Sequence, residues 1–199
     1  MKTEFSKKEI TETVSKYFPN LKNTEIELFL SITKYYSANN KDIIQKSGRT
    51  DKCLILILKG VARAYSIDEN GQELNDHIRA QGYLIGDVRA FGDDEQILNI
   101  EAIGEIHYLK FDISKLESLG YKDPEIMAFY LDFLKEIILA FSYRLNSFVT
   151  MTPKERYLDL IRWNPILIET TFDKHLASFL GITPLTLHRI KKNISKPIK

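Results

Sequence analysis

Six side chains with hydroxyl, imidazole or cationic groups crowd into "TPLTLHRIKKN" (183–193): Thr183, Thr186, His188, Arg189, Lys191 and Lys192. From Lys174 to the end the chain has six Lys and Arg and no Asp or Glu. An arginine donates bidentately to guanine O6 and N7, ammonium groups neutralise phosphates, and hydroxyls bond phosphate oxygens. On one helix these groups would form a cationic outer face, because Leu187 and Ile190, three residues apart, turn the other way. Such a face suits a polyanion.

The residues before it look built to aim that helix. With Asp173 opening a first short helix, Leu176 and Leu180 fall on its buried side. Ala177 then lies where a second helix crosses, a place that admits only a small side chain. Gly181 takes the left-handed conformation that reverses the chain, and Ile182 plugs the turn. Thr183 is an N-cap and Pro184 the first residue of the second helix. The spacing is that of a helix-turn-helix.

Other chemistry finds little support. No G-x-S-x-G, Walker or G-x-G-x-x-G motif is present, and no catalytic constellation is evident, so the chain is not expected to be an enzyme. A metal-binding cupin would need clustered histidines, but the middle of the chain has only His77 and His107, without paired spacing. His77 and Cys53 are the only candidate axial ligands for a haem. The single cysteine excludes an internal disulfide, and no cofactor or metal is identified.

The 199 residues are 44% hydrophobic and 28% charged, as in an ordinary globular protein. No apolar run approaches the roughly 20 residues of a membrane span, and "MKTEFSKKEI" has no apolar signal core. A cytoplasmic protein with no membrane partner is expected. The net charge of +1 hides a split: residues 151–199 carry 9 Lys and Arg against 4 acids, and the remainder is slightly acidic.

Element signals divide the chain in three. Phe5, Ile10, Val14 and Phe18 lie at helical spacing, and "NTEIELFLSITKYY" (23–36) reads as a second helix with an Asn/Thr cap. From about 41 to 112, β-rich runs ("KDIIQKS", "CLILILKGVARAYSI", "ELNDHIRA", "YLIGDV", "ILNIEAIGEIHYLKF") alternate with turns, and Asn70-Gly71 suggests a type I′ hairpin. Asp123-Pro124 then opens a long helix with an apolar stripe at Met127, Tyr130/Leu131, Leu134, Ile137/Ile138, Phe141, Leu145 and Phe148. That stripe is longer than a small barrel needs, so part of it should meet another chain. "TPKERYLDLIRWNP" is a capped helix whose expected core face is Tyr157, Leu160, Ile161 and Trp163.

"LASFLGITPLTLHRIKK" and "ERYLDLIRWNP" closely resemble the C-terminal domains of Crp/Fnr-type transcription regulators, especially those of Bacteroidetes-like bacteria. "ILKGVARAYSIDENGQE" and "YLIGDV" resemble that family's cyclic-nucleotide-binding β-roll. The resemblance spans essentially the whole chain and implies an α+β architecture. Residues 1–122 would be a double-stranded β-helix or jelly-roll effector domain with N-terminal helices. Residues 123–150 would be a dimerisation helix, and 151–199 a winged-helix-like helix-turn-helix domain, with little room for a full wing. It further implies a homodimer on a pseudo-palindromic duplex, with RNA polymerase as a further candidate partner. Of the family's base-reading positions, Arg189 matches an arginine, whereas Pro184 and Leu185 cannot donate to bases. Lys191 and Lys192 would contact phosphates.

The same resemblance places an effector pocket at Gly86, Asp87, Val88 and Arg89. Cyclic-nucleotide binders carry a Gly-Glu pair followed about ten residues later by a phosphate-binding arginine. Here the pair is Gly86-Asp87, and "QILNIEA" (96–102) has no cation. Without a charge-assisted partner for the phosphate, and with "DVRAFGDDE" itself acidic, cyclic AMP is not expected to be the effector; either an unknown small molecule takes its place or the roll has lost the ability to bind one. The alternative is a small-molecule-binding β-roll whose basic C-terminal domain docks a protein partner.

Overall fold

The computed structural model describes residues 5–194. Lys196 and Lys199, two of the cations in the basic C-terminal run, lie outside the described residues. Helix α1 (Lys7–Tyr17) opens on a capping box between Ser6 and Glu9, with Val14 fully buried and Phe5, Ile10 and Phe18 packed beside it. Helix α2 (Asn23–Ser31) begins one residue earlier than its Asn/Thr signal suggests. Its N-cap is Lys22, whose amide donates to the Glu25 carboxylate at 2.7 Å.

The sequence-predicted helix over "NTEIELFLSITKYY" stops short. Thr33–Ala38 is instead strand β1, paired antiparallel with β6 (Asn99–Asp112). β-branched and aromatic side chains favour the pleat, and Tyr36 stacks on Tyr108 with ring centres 5.6 Å apart. Tyr35, on the other face, bonds the buried His107 through its hydroxyl at 2.7 Å.

The sheet runs β1-β6-β3-β4, where β3 is Cys53–Ile67 and β4 is Glu73–Ala80. Two short strands, β2 (Ile43–Gln45) and β5 (Leu84–Ile85), pair with β6 and β3. The pairing of β3 with β6 shifts register twice around Gly60, and β3 contributes to two core clusters. Gly60 has φ +96°, and a Cβ there would lie 2.5 Å from the Glu105 carbonyl oxygen. Leu54, Leu56 and Leu58 face the helices, whereas Ile55, Ile57, Ala62 and Ala64 fill the roll.

The Asn70-Gly71 hairpin is not type I′, since only Gly71 has positive φ. The Asp68 carboxylate accepts from the Asn70 and Gln72 amides, and this holds a three-residue loop in its place. "YLIGDV" pairs only over β5, then turns into a 3-10 segment at Val88–Phe91.

Helix α3 (Ile113–Gly120), which no sequence signal marked, leads to α4 (Pro124–Thr150), capped by Asp123 as its sequence suggests. Helices α5 (Pro153–Trp163), α6 (Pro165–Thr170), α7 (Asp173–Phe179) and α8 (Pro184–Ile194) complete the described chain. Tyr157 and Leu160 of α5 are buried, but Ile161 and Trp163 are exposed, contrary to their place on the expected core face. The core of these four helices continues into Val61, Ile78, Ala80 and Ile103 of the roll. No helix among the described residues is long and apolar enough to cross a membrane.

Candidate nucleic-acid interface

Helix α7 ends in a pair of hydrogen bonds that reverses the chain. Gly181 N donates to Ser178 O and Ile182 N to Ala177 O, both at 3.0 Å, with Gly181 at φ +67°. This is the Schellman arrangement, which satisfies carbonyls left over at a helix end. Leu176, Ala177, Leu180 and Leu187 are buried; Ile182 and Ile190 pack partly against them.

Thr183 caps α8. Its hydroxyl accepts from the Thr186 amide at 3.2 Å and lies 2.9 Å from the Thr186 hydroxyl, and Pro184 follows at the first helical position. With Leu187 inward, α8 presents Leu185, His188, Arg189 and Lys192 on one exposed face. Lys191 does not share it. Its ammonium pairs with Asp173 at the start of α7, tying the two helices together. Thr186, half-buried and bonded to Thr183, also stands back from that face.

Two arginines that sequence reasoning missed set this unit in place. Arg156 of α5 donates to the Leu180 carbonyl at 3.2 and 3.0 Å and to the Met151 carbonyl at 2.7 Å, bridging the ends of α7 and α4. Arg144 of α4 lies over Phe179, 4.3 Å from its ring centre. Between the two guanidinium groups stands Phe148, whose ring would be 2.6 Å from a Cβ at position 181. Phe148 entered the sequence reading only as one more member of an apolar stripe. Its contact with Gly181 joins residues far apart in the chain, and no local pattern encodes it.

A polar seam connects α7 to the roll. The Asn75 amide of β4 donates to Ser178 Oγ at 2.9 Å, and Ser178 Oγ donates to the Glu73 carbonyl. Arg63, 2% exposed at its side chain, donates bidentately to Glu101 at 3.0 Å and pairs with Glu73 at 2.7 Å. His175 lies 4.0 Å from Glu73. Burial first, then the charges of Arg63 and Lys174, press its pKa down to about 4.

No family model and no curated protein matches this chain. Solved structures do. FixK2 from Bradyrhizobium japonicum superposes with a TM-score of 0.68 at 13% identity, over 82% of this chain and 84% of that one. The c-di-GMP-responsive global regulator CLP of Xanthomonas campestris gives 0.66 at 14%, over 87% and 91%. The Thermus thermophilus catabolite activator protein gives 0.55 at 17%, over 90% and 86%. The fold is that of the Crp/Fnr-type regulators. CLP is a global regulator and the Thermus thermophilus protein a catabolite activator.

Within the Crp/Fnr-type fold, the four residues expected at the effector pocket separate. Asp87 is buried, and its carboxylate accepts from the amides of Arg89, Ile97 and Leu98 at 2.9, 2.7 and 3.0 Å. Gly86 is closed against Leu54, with a Cβ there only 2.2 Å from Leu54 Cδ2. Gly86, Asp87 and Val88 line a cavity beside α4, but Arg89 does not. Its side chain is exposed and donates to the Glu95 carbonyl at 3.1 Å. Gln96, near where a phosphate-binding arginine would fall, is buried and bonded to Gln45 and the Asp51 carbonyl.

His77 is buried and bonded to Asp76 at 2.7 Å; burial lowers its pKa. Burial and the neighbouring Asp51 raise the Cys53 thiol to about 11, which keeps it protonated. Among the described residues no group of three or more His, Cys, Asp or Glu is placed to hold a metal.

Proposed function

We infer that this chain is a sequence-specific, DNA-binding transcription regulator acting as a homodimer in the cytoplasm. The effector domain would be 1–122, the dimerisation helix 123–150 and the DNA-binding unit 151–199. The observation that carries this reading is the bare face of α8, His188, Arg189 and Lys192, aimed by the Gly181 turn and the Thr183 cap. A cationic helix after such a turn has the form of a major-groove recognition helix. Arg189 is assigned base readout, Lys192 and His188 phosphate or groove contacts, and Thr183 a backbone contact. Lys191 and Thr186 are reassigned to holding α8 in position. RNA polymerase is a candidate further partner.

Dimerisation is supported by the register of α4. Leu131, Leu134, Ile138, Phe141 and Leu145 alternate at three- and four-residue steps, the a/d pattern of a coiled coil. Beyond Ile137 that seam is largely bare, with Ile138 65% and Leu145 69% exposed. A duplex with two half-sites follows from a two-fold dimer.

The effector is not cyclic AMP. The amides of Ile97 and Leu98, which a bound phosphate could use, already hold the Asp87 carboxylate, and Gln96 supplies no cation. Calorimetry should detect no micromolar binding of cyclic AMP, and such binding would refute this point.

Selection of bound sites from a random duplex library tests the whole reading. A palindromic consensus is expected, with affinity falling steeply in salt by roughly 0.9 log units per log of salt for each phosphate contact. Arg189→Ala should relax preference at one base pair by about 1–3 kcal/mol. A flat salt response with no enriched sequence overturns the regulator reading.

A further inference from the structure

A cavity of about 550 Å³ lies where the roll, α4 and the C-terminal helices meet. Its volume is within the roughly 300–1,000 Å³ of small-molecule sites. Six phenylalanines wall it: Phe18, Phe91, Phe133, Phe141, Phe148 and Phe179. Apart from Arg79, the charged groups along the inner wall are committed elsewhere. Asp87 holds three amides, Asp159 accepts from the Tyr143 hydroxyl, and His77 is bonded to Asp76. Arg156 serves two carbonyls, Arg144 is stacked on Phe148 and Phe179, and Glu136 is on the exposed rim.

Arg79 is different. It lines the cavity and, among the described residues, its side chain makes no hydrogen bond or ion pair. Asp76 and Tyr83 act on it only through space, and the Asp76 carboxylate already accepts from His77. Desolvation disfavours its charge, a cost that an anion on the guanidinium would offset.

One uncommitted guanidinium in an aromatic chamber selects a ligand with a single negative head and an apolar body. We propose that this cavity binds an apolar monocarboxylic acid, its carboxylate bidentate on Arg79 and its hydrocarbon or aryl body among the phenylalanines. This rests on the reading of the chain as an effector-responsive regulator. A nucleotide fits worse. A phosphate finds its neighbouring amides already taken by the Asp87 carboxylate. Because α4, α5 and α7 all contribute wall residues, an occupant touches both the roll and the helices that carry the DNA-reading turn.

The test is calorimetric titration of the full chain with octanoate and with 1-octanol. Octanoate should bind at least tenfold more tightly than the alcohol. Arg79→Gln should reduce octanoate to the alcohol's affinity and leave the alcohol unchanged. Equal affinity of the two in the native chain, or no octanoate binding, overturns the proposal; this comparison decides even if the variant fails to fold. DNA binding is measured separately on a selected duplex. A chain that binds duplex but ignores octanoate sinks this proposal alone. One that binds octanoate but no duplex sinks the regulator reading and leaves the acid site standing.

Discussion

At Gly181 two demands coincide that only glycine meets. The residue is left-handed, which costs an L side chain about 1–2 kcal/mol, and the Phe148 ring occupies the space of a β-carbon. Gly181→Ala is expected to lose about 2 kcal/mol in urea unfolding, and to weaken duplex binding as the turn opens. Gly71 is the natural control, having φ +76° with nothing within 4 Å of its would-be Cβ. Gly71→Ala should therefore lose only the backbone part, about 1 kcal/mol, with duplex binding unchanged. Thr183→Ala, which removes the α8 cap, should cost about 1 kcal/mol. Gly181 and Thr183 could be read from sequence because their roles are local, set by neighbours within five residues. Arg156 and Phe148 could not, because their partners lie about 24 and 33 positions away. A separation of 18 positions likewise hid the place of Lys191, whose cationic type suggested phosphate but whose ammonium is spent on Asp173.

The scale of whole elements belongs to α4. Its first half buries Ile126, Tyr130 and Phe133 against α1, α2 and the roll, while its second half leaves an apolar seam uncovered. Placing charges there, as in Ile138→Glu with Leu145→Glu, should yield a folded monomer by sedimentation and abolish tight duplex binding. A dimer that survives both charges overturns the assigned interface. Long periodic elements were legible in advance: α4 has its predicted cap, and β3, β4 and β6 follow the β-rich runs closely. Short or ambiguous ones were not. In "SITKYY" the apolar and aromatic positions fit a helix and a strand alike, and only the β6 partner decides for the strand. Ile161 and Trp163 of α5 have helical spacing but point away from the core, because the buried side of α5 is set by α7 and the roll.

Across the whole molecule, the C-terminal helices and the roll share one hydrophobic core and one polar seam. His175 sits in that seam, neutral, with a pKa near 4 in the folded chain against about 6.5 when unfolded. The unfolded state therefore binds the extra proton between those values, so stability is complete above pH 6.5 and declines as pH falls towards 4. After allowance for solvent screening the loss is on the order of 1–2 kcal/mol. Melting temperatures across pH 7.5 to 4.5 measure it. His175→Gln should flatten part of that slope, and the remainder belongs to the buried His77, which is shifted in the same direction. An unchanged slope in the variant would place the titrating group elsewhere.

Strand β4 ends the main strand path of the sheet, so one side of its backbone has no neighbouring strand. The Asn75 amide and the Glu73 and Asn75 carbonyls are met there by Ser178 and Arg144. The α7 docking thus works as a guard on a sticky border. If the DNA-reading helices swing away from the roll, they leave an unpaired ladder that a second molecule can extend. Any state of this protein with those helices released should be prone to aggregate, which sets a solubility limit on how far and how long it can open.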